Sequence, residues 1–278
     1  MRVLVLVIAS FDKPVYYDML NVWKTRLADN DVTDVTEGCI TDVWFVRSKP
    51  DSEWIGDIVN DILDPELRDK FELDILNKTI FVRGDECLIP GILNKTVEAI
   101  SYFLGERSIQ RSLRPITLQN ENTTKLIQNE NTTKLIPHYD FIWRTNLSSV
   151  LDFRGLHAYI SGLKSSDKSS IGFYGGYIGK ASSYFFASGA GFLMSRDVAS
   201  YLVTNKHLLR WDLIDDVAIG ALLEPRFGLV PIDRCWVDEN FSGCPDVFHF
   251  RCESYLHLRT VEFMNAVIQK EKEPKVPL

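Results

Sequence analysis

Two kinds of hydrophobic run alternate along the first half of the chain. "RVLVLVIAS" (2–10), "DVWFVRS" (42–48) and "KTIFVRG" (78–84) are short, rich in β-branched residues, and end on small or polar positions. They predict buried strands. "PVYYDMLNVWKTRL" (14–27) follows the first and "GILNKTVEAISYFLG" (91–105) the third, both with helical spacing, and an acidic segment running to Lys70 follows the second. "YDFIWRTNLSSV" (139–150) begins as a fourth buried strand and breaks into Arg144, Thr145, Asn146, Leu147, Ser148 and Ser149. The rhythm predicts βαβ units, hence an α/β fold with a mostly parallel sheet covered by helices. Ligands gather at the carboxyl ends of such strands, which makes Ala9, Ser10, Asp12, Ser48, Gly84, Asp85 and Asn146 candidate ligand residues.

The second half reads differently. "SIGFYGGYIG" (170–179), "FFASGAGFLMS" (185–195) and "GLVPIDRCWV" (228–237) predict strands rich in Gly and aromatics, separated by helical stretches at 195–210 and 212–224. Glycines within strands mark bulges or close approach of a ligand to the backbone. No linker divides the halves, so the chain is expected to form one domain over 1–278, with a nucleotide-binding half (1–150) and a second binding half (151–278). The nine-residue unit "QNENTTKLI" is written twice at 119–136, too short for a solenoid and polar enough for a surface insertion. A partner-binding tip is the other reading.

With 278 residues, 45% of them hydrophobic, the chain can bury a full core unaided. Its 31 Lys+Arg against 38 Asp+Glu give a net charge of -7 with no basic block, which disfavours nucleic acid or an anionic membrane surface and favours a small ligand. Five scattered cysteines without a CxxC pair do not form a disulfide framework or a zinc motif, and fit a reducing compartment. Asn-x-Ser/Thr triplets at Asn77, Asn94, Asn122, Asn131, Asn146 and Asn240 matter only in a secretory pathway. "MRVLVLVIAS" lacks a small-x-small cleavage site and reads as a strand. No run approaches the ~20 apolar residues of a membrane span. A cytoplasmic protein is expected.

Three stretches carry candidate chemistry. In "DLIDDVAIGALL" (212–223), Leu213, Ile214, Val217, Ala218, Ala221 and Leu222 form an apolar helical face, with Asp212, Asp215 and Asp216 at the amino end. Helix capping needs only one or two of these acids; the surplus carboxylate, with Gly220 one turn on leaving space beside Asp216, suits a general base. Both readings stand. Ser188, Gly189, Ala190 and Gly191 are small enough to let a ring approach the backbone, or they form a tight turn. "FHFRCESYLHLR" (248–259) offers His249, Arg251, His257 and Arg259, which could hold a diphosphate through charge-assisted bonds or simply fill core positions.

In order and over most of the chain, these segments resemble the GT-A glycosyltransferases of the β-1,3-galactosyltransferase and Fringe type, particularly the short versions of large DNA viruses. "YDFIWRTNLSS" stands where that family has "YDFxxKxDDD"; "SGAGFLMS" is similar to "GGAGFxxS", "DDVAIG" to "EDVxxG", Phe248 and His249 to a C-terminal "FH", and "ILNKTVEAI", with Lys95 and Thr96 in step, to "NLTxKT". The resemblance implies a Rossmann-like nucleotide-sugar-binding half fused to an acceptor-binding half. It implies inverting transfer from a nucleotide-diphosphate sugar, such as UDP-galactose, UDP-N-acetylglucosamine or UDP-xylose, to a glycan or glycoprotein acceptor. Asp216 takes the general base by position, with Asp215 as competitor. Ser188, Gly189, Ala190 and Gly191 floor the sugar pocket, and Arg144, Thr145, Asn146, Ser148, His249 and Arg251 hold the donor with Ala9, Ser10, Asp12, Asp85 and Lys95. Asn146 and Ser148 replace the metal-binding aspartates and are poor ligands for a hard cation. Three outcomes remain open: donor binding without an ion, a Mn or Mg ion held through water and the diphosphate, or a pseudo-enzyme that has lost catalysis.

Overall fold

β1 (Arg2–Ile8) is apolar at every position after the first because both of its faces are covered. Val3, Val5 and Val7 face one core together with α1 (Pro14–Ala28), which contributes Met19, Leu20 and Trp23. Leu4, Leu6 and Ile8 face a second core with α2 (Gly91–Leu104), which contributes Leu93, Val97 and Ile100. Period-two alternation thus divides one strand between two helical layers. The structure, a computed structural model, describes residues 1–10, 13–28, 39–53, 70–105, 137–165, 172–239, 244, 247–252 and 259–272. The 119–136 repeat, Asp12 and His257 lie outside the described residues.

The remaining elements are β2 (Ile40–Lys49), β3 (Phe71–Asp74), β4 (Thr79–Arg83), β5 (Phe141–Asn146), β6 (Ser149–Leu151), α3 (Phe153–Ser165), β7 (Tyr174–Ala181), β8 (Tyr184–Ser195), α4 (Arg196–Thr204), α5 (Asp215–Phe227), β9 (Val230–Pro231), β10 (Cys235–Trp236), β11 (His249–Arg251) and α6 (Thr260–Lys272). The large sheet has eight strands in the order β3-β4-β2-β1-β5-β8-β7-β9. β4, β2, β1 and β5 run parallel, β3 pairs antiparallel to β4, β8 pairs antiparallel to both β5 and β7, and β9 pairs parallel to β7. The fold is α/β with a mixed sheet. The expectation of a mostly parallel sheet did not include β3, which forms an edge hairpin with β4, or β8, which runs against both β5 and β7. The sheet runs across residue 150, since β5 adjoins β8.

"GLVPIDRCWV" is not one strand. It splits into β9, on the edge of the large sheet, and β10, which joins β11 and β6 in a separate three-stranded sheet. Cys235 and Cys244 form a disulfide with Cα atoms 5.9 Å apart, which the scattered cysteine spacing did not predict. Among the described residues no helix is long and apolar enough to cross a membrane.

The chain passes from β1 to β2 on one side and later sets β5 on the other. The carboxyl end of β1 is therefore a topological switch point, the place where open α/β sheets bind ligands. The turn after β5 is pinned there by Trp23, whose buried indole Nε1 donates to the Leu147 carbonyl at 3.0 Å. Trp23→Phe keeps most of the ring's burial and leaves that carbonyl without its donor. It is expected to cost about 1–3 kcal/mol, read as a lower urea midpoint with an unchanged slope.

Candidate functional site

A cavity of about 420 Å³ opens at this switch point. That volume suits a small ligand of nucleotide size. Ile8 and Ser10 end β1 at its edge, Arg144, Asn146, Leu147 and Ser148 come from the β5 tip, Ser188, Gly189 and Ala190 from β8, and Asp215 and Asp216 from the start of α5. Lys95, Arg234, Trp236 and Arg251 complete the polar wall. Segments far apart in sequence converge because β8 runs antiparallel to β5. Thr145 is opposite Gly191 in that register, so Asn146 emerges beside Ala190.

Arg144 is buried, and a buried guanidinium needs partners. Its Nη2 meets Asp215 Oδ2 at 2.5 Å, and its Nη1 donates to the Gly189 carbonyl. Asp216, the next residue, accepts from the Gly189 backbone N–H at 2.8 Å through Oδ2 and from Val217 N–H at 2.9 Å through Oδ1. A Cβ on Gly189 would lie 3.0 Å from Arg144 Nη1 and 3.3 Å from Asp216 Oδ2, so the missing side chain is what lets both groups close on this backbone. The Asp216 carboxyl is held above the ordinary carboxylate range, first by burial and then by the charge of Asp215; the Gly189 hydrogen bond and Arg144 oppose the shift. A carboxylate so placed is a stronger base than a solvated one.

The capping reading is only partly met. Asp212 turns away to Arg210, at 2.9 and 2.7 Å, and Asp215 is committed to Arg144. The helix begins at Asp215 and buries Val217, Ala218, Ile219, Gly220 and Leu223, while Ile214 is exposed. The predicted face that ran through Leu213 and Ile214 is corrected, because those residues precede the helix. Gly220 does not open space beside Asp216. A Cβ there would strike Phe186 and lie 2.8 Å from the Phe185 carbonyl, so this glycine seats α5 against β8.

Of the other sequence candidates, Lys95 reaches the cavity but is buried, donating to the Ala9 carbonyl at 2.8 Å and to Glu86 Oε2 at 2.6 Å. Burial lowers its pKa and Glu86 opposes the change. Glu86 also accepts from Ser48 N–H at 2.9 Å, tying the ends of β1 and β2 to α2. Ala9 therefore serves through its carbonyl and is itself buried, and Asp85 is exposed and outside the cavity lining. Thr145 is buried with its hydroxyl on the Ala190 carbonyl at 2.7 Å. Gly191 lies behind the cavity, where a Cβ would come within 2.6 Å of Trp143 and 2.7 Å of His249.

His249 is corrected as a cation for a diphosphate. It is fully buried against Trp143, with ring centroids 5.3 Å apart, and its Nε2 lies 3.2 Å from the Ala190 carbonyl. Burial, with the charges of Arg234 and Arg251, pushes its pKa down to about 3, so it is neutral at neutral pH. Arg251, two residues on and hence on the same strand face, does reach the cavity. Its Nη1 donates to Asn146 Oδ1 and to Ser148 Oγ, both at 2.6 Å. Arg259 sits away from the site with Glu239 and Glu262.

Sequence reasoning missed Glu86, Arg234 and Trp236. Arg234 stacks on Tyr177, with 4.0 Å from guanidinium carbon to ring centroid, and donates to Ser188 Oγ at 3.0 Å. Trp236, half-exposed, forms the outer wall beside it, with its ring 5.2 Å from the guanidinium. The signal available was the cluster "DRCWV", a cation and an indole two positions apart.

Among the described residues no group of three or more His, Cys, Asp or Glu side chains is placed to hold a metal ion. At the β5 tip, where the resemblance puts a metal, Asn146 Oδ1 accepts from Arg251, from Ser149 Oγ at 3.0 Å and from Ser148 Oγ at 3.2 Å. An amide oxygen has two lone pairs, so this one has none left for a cation, and the donor set does not fit Mn or Mg. No protein-family model matches the chain, and no curated protein is significantly similar to it.

Asp215→Ala leaves Arg144 buried without its carboxylate. It is expected to lower unfolding free energy by about 3–5 kcal/mol, whereas Asp212→Ala, which breaks an exposed pair, should barely move the denaturant midpoint.

Proposed function

We propose that the chain is an inverting glycosyltransferase of GT-A type that moves a sugar from a nucleotide-diphosphate donor to a glycan hydroxyl. The observation that carries this reading is the convergence of Asp216 with the cationic β5 tip in one cavity. Four cations (Lys95, Arg144, Arg234, Arg251) and two carboxylates (Asp215, Asp216) line it. Cations there suit a diphosphate, while a desolvated carboxylate suits removal of a proton. The donor is a UDP sugar such as galactose, N-acetylglucosamine or xylose, and the acceptor a glycan or glycoprotein.

In the proposed reaction the acceptor oxygen attacks the anomeric carbon as the bond from that carbon to the diphosphate oxygen breaks. The hydroxyl proton passes to Asp216, and the electron pair leaves with the nucleoside diphosphate. Inversion follows from attack opposite the leaving group. Developing oxocarbenium character is tolerated beside two carboxylates. Asp215 is the poorer candidate for base because Arg144 occupies its Oδ2. The compartment is proposed as cytoplasmic, a host cytoplasm if the source is viral, and the Cys235–Cys244 disulfide stands against that part of the reading, since such bonds persist in oxidising compartments.

A non-catalytic sugar- or nucleotide-binding protein is the second reading, and it draws on one observation: both oxygens of Asp216 already accept backbone hydrogens. A carboxylate offers about four lone-pair sites, so two remain for a substrate hydroxyl. Slow release of free sugar from a donor separates the readings, since a binder does not hydrolyse what it holds.

Asp216→Asn is expected to reduce transfer by about 10²- to 10⁴-fold while donor affinity, measured by calorimetry, stays nearly constant. Full activity in this variant removes Asp216 as the base. The wild-type rate should rise with pH as Asp216 loses its proton, and because its pKa is raised, that acid limb lies above the ordinary carboxylate range. Asp215→Asn removes a charge that raises it, so the limb should move to lower pH in a kcat profile.

A further inference from the structure

The outer wall of the cavity carries exposed apolar surface that belongs to neither hydrophobic core. Trp236 is 52% exposed, Tyr177 44% and Ile214 38%. Trp236 and Ile214 line the cavity, and Tyr177, on the other side of Arg234, continues the surface past the rim. Single exposed apolar side chains are ordinary, but these three border one opening.

Backbone register holds the rings in place. Trp236 stands opposite Arg251 in the parallel pairing of β10 with β11, and the next residue, Val237, donates its N–H to the Arg251 carbonyl at 2.9 Å. The preceding residue, Cys235, is tied to Cys244. Tyr177 sits at an irregularity of the β7–β8 ladder, where Ser188 to Gly191 on β8 stand against Tyr177 alone on β7. Such a bulge re-aims the side chain it carries. The Arg234 guanidinium lies over both rings, 4.0 Å from the Tyr177 centroid and 5.2 Å from that of Trp236, and donates to Ser188 Oγ at 3.0 Å. Ser188 adjoins Gly189, whose N–H is bonded to Asp216. A short run of contacts therefore links the rings to the candidate base.

A wall of this composition fits an amphipathic ring. Aromatic faces suit a flat apolar surface, while the guanidinium, the Ser188 hydroxyl and the Asp216 carboxylate need polar partners. A wholly apolar ligand would strip water from those groups and return no hydrogen bonds. A pyranose supplies both, because its axial C–H bonds form an apolar face that stacks on an aromatic ring while its hydroxyls project from the edge. An indole fixed by its strand has little conformational freedom left to lose on binding, so the stacking is preorganised. A nucleobase also stacks, but it brings no hydroxyl for a carboxylate to deprotonate.

We propose that Trp236, extended by Tyr177 and flanked by Ile214, is the acceptor subsite: it holds a pyranose ring of a glycan by its C–H face and turns a ring hydroxyl toward Asp216. Trp236 acts by binding and takes no part in proton transfer. The inference rests on the glycosyltransferase reading for the fate of the bound sugar, whereas sugar binding itself can be measured with no donor present.

The test is saturation-transfer NMR on the full-length protein with the methyl β-glycosides of galactose, N-acetylglucosamine, glucose and xylose, with lactose, and with uridine as a stacking control. At least one glycoside is expected to bind, with saturation concentrated on the C–H protons of one ring face. Trp236→Ala should weaken that glycoside by about tenfold to a hundredfold. Trp236→Phe, which keeps a flat ring, should retain part of the affinity. Trp236→Leu, apolar but not flat, should lose nearly as much as the Ala variant, and it decides the matter if the Ala variant fails to fold by circular dichroism. In turnover with the same glycoside, Trp236→Ala should raise acceptor KM far more than it lowers kcat, and donor affinity by calorimetry should move less than about threefold.

The proposal falls if no glycoside of the panel binds, if folded Trp236→Ala or Trp236→Leu binds as the wild type does, or if uridine alone depends on Trp236. Failure of the underlying reading looks different: glycosides bind through Trp236, but no nucleotide sugar binds or is hydrolysed. If transfer occurs and acceptor KM is indifferent to Trp236, the glycosyltransferase reading survives and this subsite does not.

Discussion

The buried pair between Arg144 and Asp215 is the constraint on which the rest of the site depends. A guanidinium at the end of a core strand is costly unless a carboxylate and further acceptors meet it, and Asp215 and the Gly189 carbonyl are the acceptors within reach. Satisfying that charge draws the first turn of α5 onto β5 and β8. Once Asp215 is fixed, Asp216 has little freedom: the next position on a helix start, beside a strand whose glycine exposes its backbone N–H, places its carboxylate on Gly189. The position of the candidate base is thus a consequence of folding, and its raised pKa follows from the same burial that makes the pair necessary.

Much of the frame was legible because it rests on short-range pattern. The unbroken apolar run of β1 announces a strand covered on both faces, and the break at Arg144 to Ser149 announces a strand end that serves something other than packing. The "DDVAIG" stretch was readable as a helix start. What escaped depends on pairing between distant short segments. β6, β10 and β11 are two or three residues long, too short for any period to show, yet they decide that Arg251 faces the cavity while His249 does not. The direction of a glycine's missing side chain is equally silent in sequence: Gly189 opens toward the site, whereas Gly220 and Gly191 open onto Phe186 and Trp143.

The cavity's cations join different elements of the fold. Lys95 and Arg144 are buried and bonded to Glu86 and Asp215, so their charges are spent largely on joining α2 and α5 to the ends of β1 and β5. Arg251 is gripped by an amide and a hydroxyl, and Arg234 by a hydroxyl and the faces of Tyr177 and Trp236. The buried pairs give the site its rigidity, because a guanidinium or ammonium taken out of water holds its carboxylate, and the element that carries it, in one place. They keep the cavity wall preorganised when no ligand is bound. At the strand tip Asn146 and Ser148 bring an amide and a hydroxyl where carboxylates would hold a metal, and a neighbouring strand's arginine donates to both.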